Sequence, residues 1–246
     1  MKTMKLMITT VFVAFISISM LTAQNNESIL LSVSEITVKQ GHNAQFMEGV
    51  KKWKECYLEN DGKESWNIWR RVQGEGTVYI MASVMANWAE MDIVDPVNKD
   101  CYTTVLNFIM PHVEKVNYNI ARSMPEFSRD MPEDTKLVWV TFFKVNDGTA
   151  FREIISAVSS SIKAKEGITR GIWYDYMGGA LDAADYMVST PYSGFAQMDI
   201  KRDSPWKIYE NAVGKKKADE MGKKWDAAVD AAWSHIYTLN TELSNQ

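Results

Sequence analysis

Apolar residues recur along this chain at two spacings, and the two spacings alternate in the same order twice. Phe46, Val50, Trp53 and Tyr57 stand at i, i+4, i+7 and i+11, one apolar stripe on a helix. Phe151, Ile155, Val158 and Ile162 repeat that stripe at an offset of 105 positions. Each stripe follows an extended run, Leu31 to Lys39 and Leu137 to Lys144, rich in Val, Ile, Thr, Trp and Phe as strands are. Further on, Tyr79 to Ile93 reads YIMASVMANWAEMDI and Tyr186 to Ile200 reads YMVSTPYSGFAQMDI, aligned without a gap. An internal repeat of this length sets the architecture before any single residue is interpreted.

The other elements pair in the same way. Asn67-Ile68-Trp69 matches Gly171-Ile172-Trp173 at an offset of 104 and leads to Gly74 or Gly178, which predicts a second strand ending in a turn. The Tyr79 and Tyr186 segments are third strands, each passing into a short helical turn. A second helix follows in each half. Cys101, Val105, Ile109 and Val113 form its stripe in the first, and Ser204-Pro205 caps its start in the second. Ile120, Glu126 and Ser128 recur as Ile236, Glu242 and Ser244, offset by 116, so the last strands are about Asn117 to Ser123 and Ser234 to Leu239. The order strand, helix, strand, strand, helix, strand is the ferredoxin-like arrangement. It leaves one sheet face bare, and two such sheets can cover each other. The expected organisation is a segment over residues 1–24, a first unit over 25–128, a linker over 129–136 and a second unit over 137–246.

This α+β pattern resembles the dimeric α/β-barrel superfamily, which includes antibiotic-biosynthesis monooxygenase-like, EthD-like and NIPSNAP-like domains. There two ferredoxin-like units pack sheet to sheet around a shared interior; here they look fused in tandem. The resemblance rests on topology and on repeated residues such as Phe46/Phe151 and Asp92/Asp199, not on a catalytic signature. It implies a choice among a cofactor-free oxygenase, a haem-handling enzyme, an isomerase and a protein without activity, because fold does not settle function.

Composition narrows the partners. Lys2 and Lys5 precede an apolar run from Leu6 to Leu21, then Thr22-Ala23-Gln24 and a polar Asn25-Asn26, the pattern of a secretory signal peptide. The run holds about 16 residues, short of the roughly 20 that a spanning helix needs. An exported, periplasmic or extracellular protein is expected. Without Lys2 and Lys5, 25 basic side chains face 31 acidic ones, a formal charge of −6. That balance argues against nucleic acid or an anionic membrane as partner. A monomer or weak homo-oligomer is expected.

The candidate chemistry is aromatic. Trp69, Tyr79, Trp173 and Tyr186 lie on expected central strands, and facing inward they would line a pocket for a flat, apolar ligand; facing outward they would be core. His235 lies where the repeat places Asn119, and either could orient a ligand. His112 is expected to cap a helix end and His42 to be exposed. Three scattered histidines give no metal-ligand spacing, so no metal and no cofactor are predicted, with haem left open. Asp92 and Asp199 are expected to hold turns, and Arg70, Arg71 and Arg122 to be solvated. In a ferredoxin-like unit the two helices run antiparallel, which would bring Cys56, ending the first, near Cys101, starting the second. A disulfide is possible there if the Cα atoms come within about 7 Å. The leading expectation is an exported binder of an apolar or aromatic small molecule. The alternatives are a cofactor-independent oxygenase or haem-handling enzyme, and a structural module without ligand.

Overall fold

The computed structural model describes residues 27–246; the signal-peptide pattern lies outside them. The first half contains β1 (Leu30–Val38), α1 (Asn43–Glu59), β2 (Asn67–Arg71), β3 (Thr77–Met85) and β4 (Val113–Ser123). The second contains β5 (Leu137–Val145), a long helix (Gly148–Glu166), β6 (Ile172–Tyr176), β7 (Tyr186–Tyr192), helices Pro205–Val213 and Lys215–Ala228, and β8 (Val229–Leu239). All eight strands form one closed barrel in the order β1-β3-β2-β8-β5-β7-β6-β4. Each half supplies four neighbouring strands in ferredoxin-like order. The two sheets do more than face each other: they join at two seams, Arg71 opposite Tyr237 and Ala121 opposite Tyr176.

Every inward position follows from strand pairing, because paired residues share a face. Leu31, Val33 and Glu35 of β1 sit opposite Val84, Ala82 and Ile80 of β3, with Trp69 opposite Ile80 in turn. The outer face is the helix-covered core. There Phe46, Val50 and Tyr57 of the first helical stripe pack with Ile68 and Tyr79, while Phe151 and Ile155 of the second pack with Phe143, Trp173 and Tyr186. The long helix of the second half is capped as its sequence dictates. The Asp147 side chain accepts the Ala150 N–H, and Gly167 takes the left-handed backbone at φ 79° that ends the helix.

The second helix of the first half is not continuous. Pro96–Asp100, Tyr102–Thr104, a π-turn at Val105–Ile109 and a 3-10 turn at Met110–His112 replace it, and Val113 already belongs to β4. Close packing accompanies the break: a Cβ on Gly49 of α1 would lie 2.0 Å from the Phe108 carbonyl oxygen. Cys56 and Cys101 are disulfide-bonded across this junction, their Cα atoms 5.9 Å apart.

Tail contacts show how the halves correspond. Ser128 Oγ donates to the Met124 carbonyl at 2.7 Å and accepts the Trp173 N–H at 2.8 Å. Ser244 Oγ donates to the Asn240 carbonyl at 2.7 Å and accepts the Ile68 N–H at 2.8 Å. Each half thus ties its tail to the second strand of the other, and Ile68 corresponds to Trp173. The match of Trp69 with Trp173 is therefore one residue out, and the counterpart of Trp69 is Tyr174. A slip of one residue exchanges the faces of a strand.

Candidate functional site: the barrel interior

The barrel encloses a cavity of about 1000 Å³. Its walls are Leu31, Val33, Ile80, Ala82, Val138, Val140, Ile172 and Met187 on the strands, with Trp69, Phe142, Tyr174, Tyr176 and Tyr237 as aromatic surfaces. The mouth lies where β1 begins and β4 ends. It is formed by Glu27 and Ile29, by the segment from Pro125 to Met131, and by Lys163 and the Gly167–Thr169 turn. Toward the far end the inner surface becomes polar. Glu35 projects inward there, receiving one long hydrogen bond of 3.5 Å from Asn117 Nδ2.

Of the residues expected at a site, Trp69 and Asn119 line the cavity. Tyr79, Trp173 and Tyr186 do not. Tyr79 is fully buried against Phe46, with ring centroids 5.0 Å apart, and its hydroxyl donates to Asn43 Oδ1 at 2.9 Å. Trp173 stacks on Phe143 at 5.7 Å, and Tyr186 packs on Phe151 at 4.7 Å. These three face the helices because their strand parity places them there.

His235 is inward on β8, opposite Val140, its ring 6.3 Å from Phe142 and 6.2 Å from Tyr237. It is not among the cavity-lining residues. Burial, then the charge of Arg71, holds its imidazole pKa below the ordinary value. Pairing also corrects its counterpart. Asn119 opposes Val33 and Tyr237 opposes Val138, so those two correspond, and His235 corresponds to Asn117. Arg71 is half-buried: it is inward on β2, its Nε buried without a partner among the described residues, while its terminal nitrogen donates to the Glu75 carbonyl at the surface. Arg70 is exposed, and Arg122 opposes Asp175 at a seam. Nor is His42 exposed; its Nδ1 lies 2.9 Å from Nδ1 of His112.

Sequence reasoning missed Glu35, Phe142, Tyr174, Tyr176 and Tyr237. Burial pushes the Tyr174 phenol up to about 12, and raises those of Tyr176 and Tyr237 further. All three remain neutral phenols at neutral pH, and the Tyr237 hydroxyl has no hydrogen-bond partner among the described residues. One signal was available: Glu35 interrupts an otherwise apolar alternation, Leu31-Val33-Glu35, on one strand face.

The arrangement can hold a flat or elongated apolar body against aromatic walls, with polar groups at the inner end. His235 is the histidine that faces the barrel interior, and its Nδ1 is buried without a hydrogen-bond partner among the described residues. Among the described residues no three His, Cys, Asp or Glu side chains converge as a metal site.

No family model matches the chain, and no curated protein matches it in sequence. Solved structures do resemble it. An anthrone oxidase-like protein shares 10% identity at a TM-score of 0.52, covering 88% of this chain and 92% of its own. A chlorite dismutase variant from Candidatus Nitrospira defluvii, in complex with cyanide, shares 9% at 0.53, covering 87% and 92%. A candidate monooxygenase from Fusobacterium nucleatum subsp. nucleatum shares 11% at 0.51, covering 86% and 92%. The fold is the dimeric α/β barrel. This chain carries both ferredoxin-like halves of that barrel itself.

Proposed function

We propose that this protein binds a small apolar or aromatic molecule inside its barrel. The observation that carries this reading is the cavity of about 1000 Å³ with Trp69, Phe142, Tyr174, Tyr176 and Tyr237 on its walls. Interiors normally close to native density, and this one leaves a space of the size that a small-molecule ligand fills. One chain closes the barrel, and a second copy is not required. Export belongs to the same proposal, supported by the N-terminal pattern and by the Cys56–Cys101 bond, a linkage typical of oxidising compartments. Among the described residues no helix is long and apolar enough to cross a membrane.

The test uses phenylnaphthylamine, a neutral dye that brightens in apolar surroundings. The reading expects its emission to rise and saturate with protein, and the melting temperature to climb with dye. A ligand at 100 times its Kd stabilises the native state by about 2.7 kcal/mol. Unchanged emission together with an unmoved melting temperature would refute it.

A second reading, a cofactor-independent oxygenase, is favoured by one feature. Glu35 is a carboxylate on the cavity wall, as are the phenols of Tyr176 and Tyr237, which places a proton acceptor beside a bound substrate. Oxygen uptake on adding polycyclic phenols, lost in Glu35→Gln, would support it; no uptake would set it aside.

A further inference from the structure

The barrel interior has a charge character as well as a shape. Of the cavity-lining residues that strands carry, Glu35 alone is charged. Its only side-chain hydrogen bond among the described residues is the 3.5 Å contact from Asn117. No Lys, Arg or His nitrogen lies within the 4.0 Å of an ion pair with it there. Arg71 is inward on β2 of the same sheet but outside the cavity lining, its guanidinium turned to the Glu75 carbonyl.

The rim is close to neutral. Glu27, Glu126 and Asp130 stand there against Arg129 and Lys163, and Glu126 is held by Arg152 at 3.8 Å. The charge that decides is Glu35: an anionic ligand reaching the inner end would meet a carboxylate with no ion-pair partner among the described residues. For a cation the same wall is attractive, because aromatic faces carry negative quadrupole density, and Trp69, Phe142, Tyr174, Tyr176 and Tyr237 supply five of them. A carboxylate inside a partly apolar space also gains more from a counter-ion than one in water.

The geometry points to a hydrophobic organic cation, an aryl- or alkyl-ammonium compound, as the ligand class, its charged nitrogen at Glu35 and its apolar body toward the mouth. This rests on the binding reading above and adds the charge of the ligand to it.

Three probes of one skeleton test it: phenylbutylammonium, phenylbutanol and phenylbutyrate. Their affinities are measured by calorimetry at neutral pH with the mature chain and with Glu35→Gln. The expected order is ammonium first, tighter than the alcohol by about tenfold or more, with the carboxylate weakest. In Glu35→Gln the ammonium advantage should collapse while the alcohol binds as before. Equal binding of ammonium and alcohol would overturn the inference and leave the binding reading standing. So would an ammonium preference that survives Glu35→Gln. Failure of all three probes to bind would overturn both. The order in the unsubstituted protein stands as a test even if Glu35→Gln folds poorly.

Discussion

The two halves of this barrel agree more on the outside than on the inside. Under the helices Phe46 matches Phe151 and Tyr79 matches Tyr186, although Ile68 stands against Trp173. On the inner surface Glu35 faces Val140 as counterpart, Trp69 faces Tyr174, Asn119 faces Tyr237 and Asn117 faces His235. The outer face has one duty in each half, to seat a helix, so one solution serves twice. The inner faces share a single space, and its chemistry is divided between them. Repetition therefore marks scaffold here, and divergence marks the surface presented to a ligand.

The strongest way to break this comparison is to truncate the shared scaffold. Phe46 and Phe151 are both fully buried, so Phe46→Ala and Phe151→Ala should each cost about 3–5 kcal/mol in denaturant unfolding. A large cost in one half with a negligible cost in the other would show that the layers are not equivalent.

The disulfide sharpens the contrast, because Ser161 stands where the second half would need its cysteine. The bond closes a loop with a sequence separation of 45 residues, for which chain entropy predicts a loss of about 4 kcal/mol on removal. Cys56→Ser/Cys101→Ser should therefore lower the unfolding midpoint markedly, and hydrogen exchange should quicken first in the Pro96–His112 segment. Uniform loosening of both halves would contradict the assignment.

The exchanged tails predict a matched pair of smaller effects. Ser128→Ala and Ser244→Ala each strand a backbone N–H of the opposite half, at Trp173 or Ile68. Each should cost about 1–3 kcal/mol. Widely unequal losses would weaken the pseudo-symmetry of the seams.

The smallest effect belongs to an unshared inner residue. His235 has a pKa held below the usual 6.5, so the unfolded chain takes up a proton before the folded one does. Its contribution to stability is present above about pH 6.5 and is lost as pH falls below that value. His235→Gln should flatten the stability profile in that window, as read by urea unfolding across pH. A parallel profile for both proteins would mean that the imidazole titrates freely.

Much of the fold was legible in the sequence, since the helical stripes and the two first strands carry strong periodic signals. The second helix of the first half was not, because the stripe from Cys101 to Val113 continues through π- and 3-10 turns into a strand without changing its apolar spacing. The inner surface was half legible. Strands β2 and β6 have five residues each, too few for alternation to fix parity, and the matching Ile-Trp dipeptides suggested the wrong alignment. Pairing with neighbours decided it. Tyr174 and Tyr237 emerge only when Ile80 is set beside Trp69, Met187 beside Tyr174 and Val138 beside Tyr237.

The central claim is that the barrel interior holds the ligand, and a plug tests it most directly. Ala82 lies on the cavity wall, opposite Val33. An Ala82→Trp variant that keeps its circular dichroism and cooperative unfolding should lose phenylnaphthylamine binding, with the dye's saturable emission abolished. Dye binding at undiminished affinity in that folded variant would place the ligand elsewhere and contradict the account.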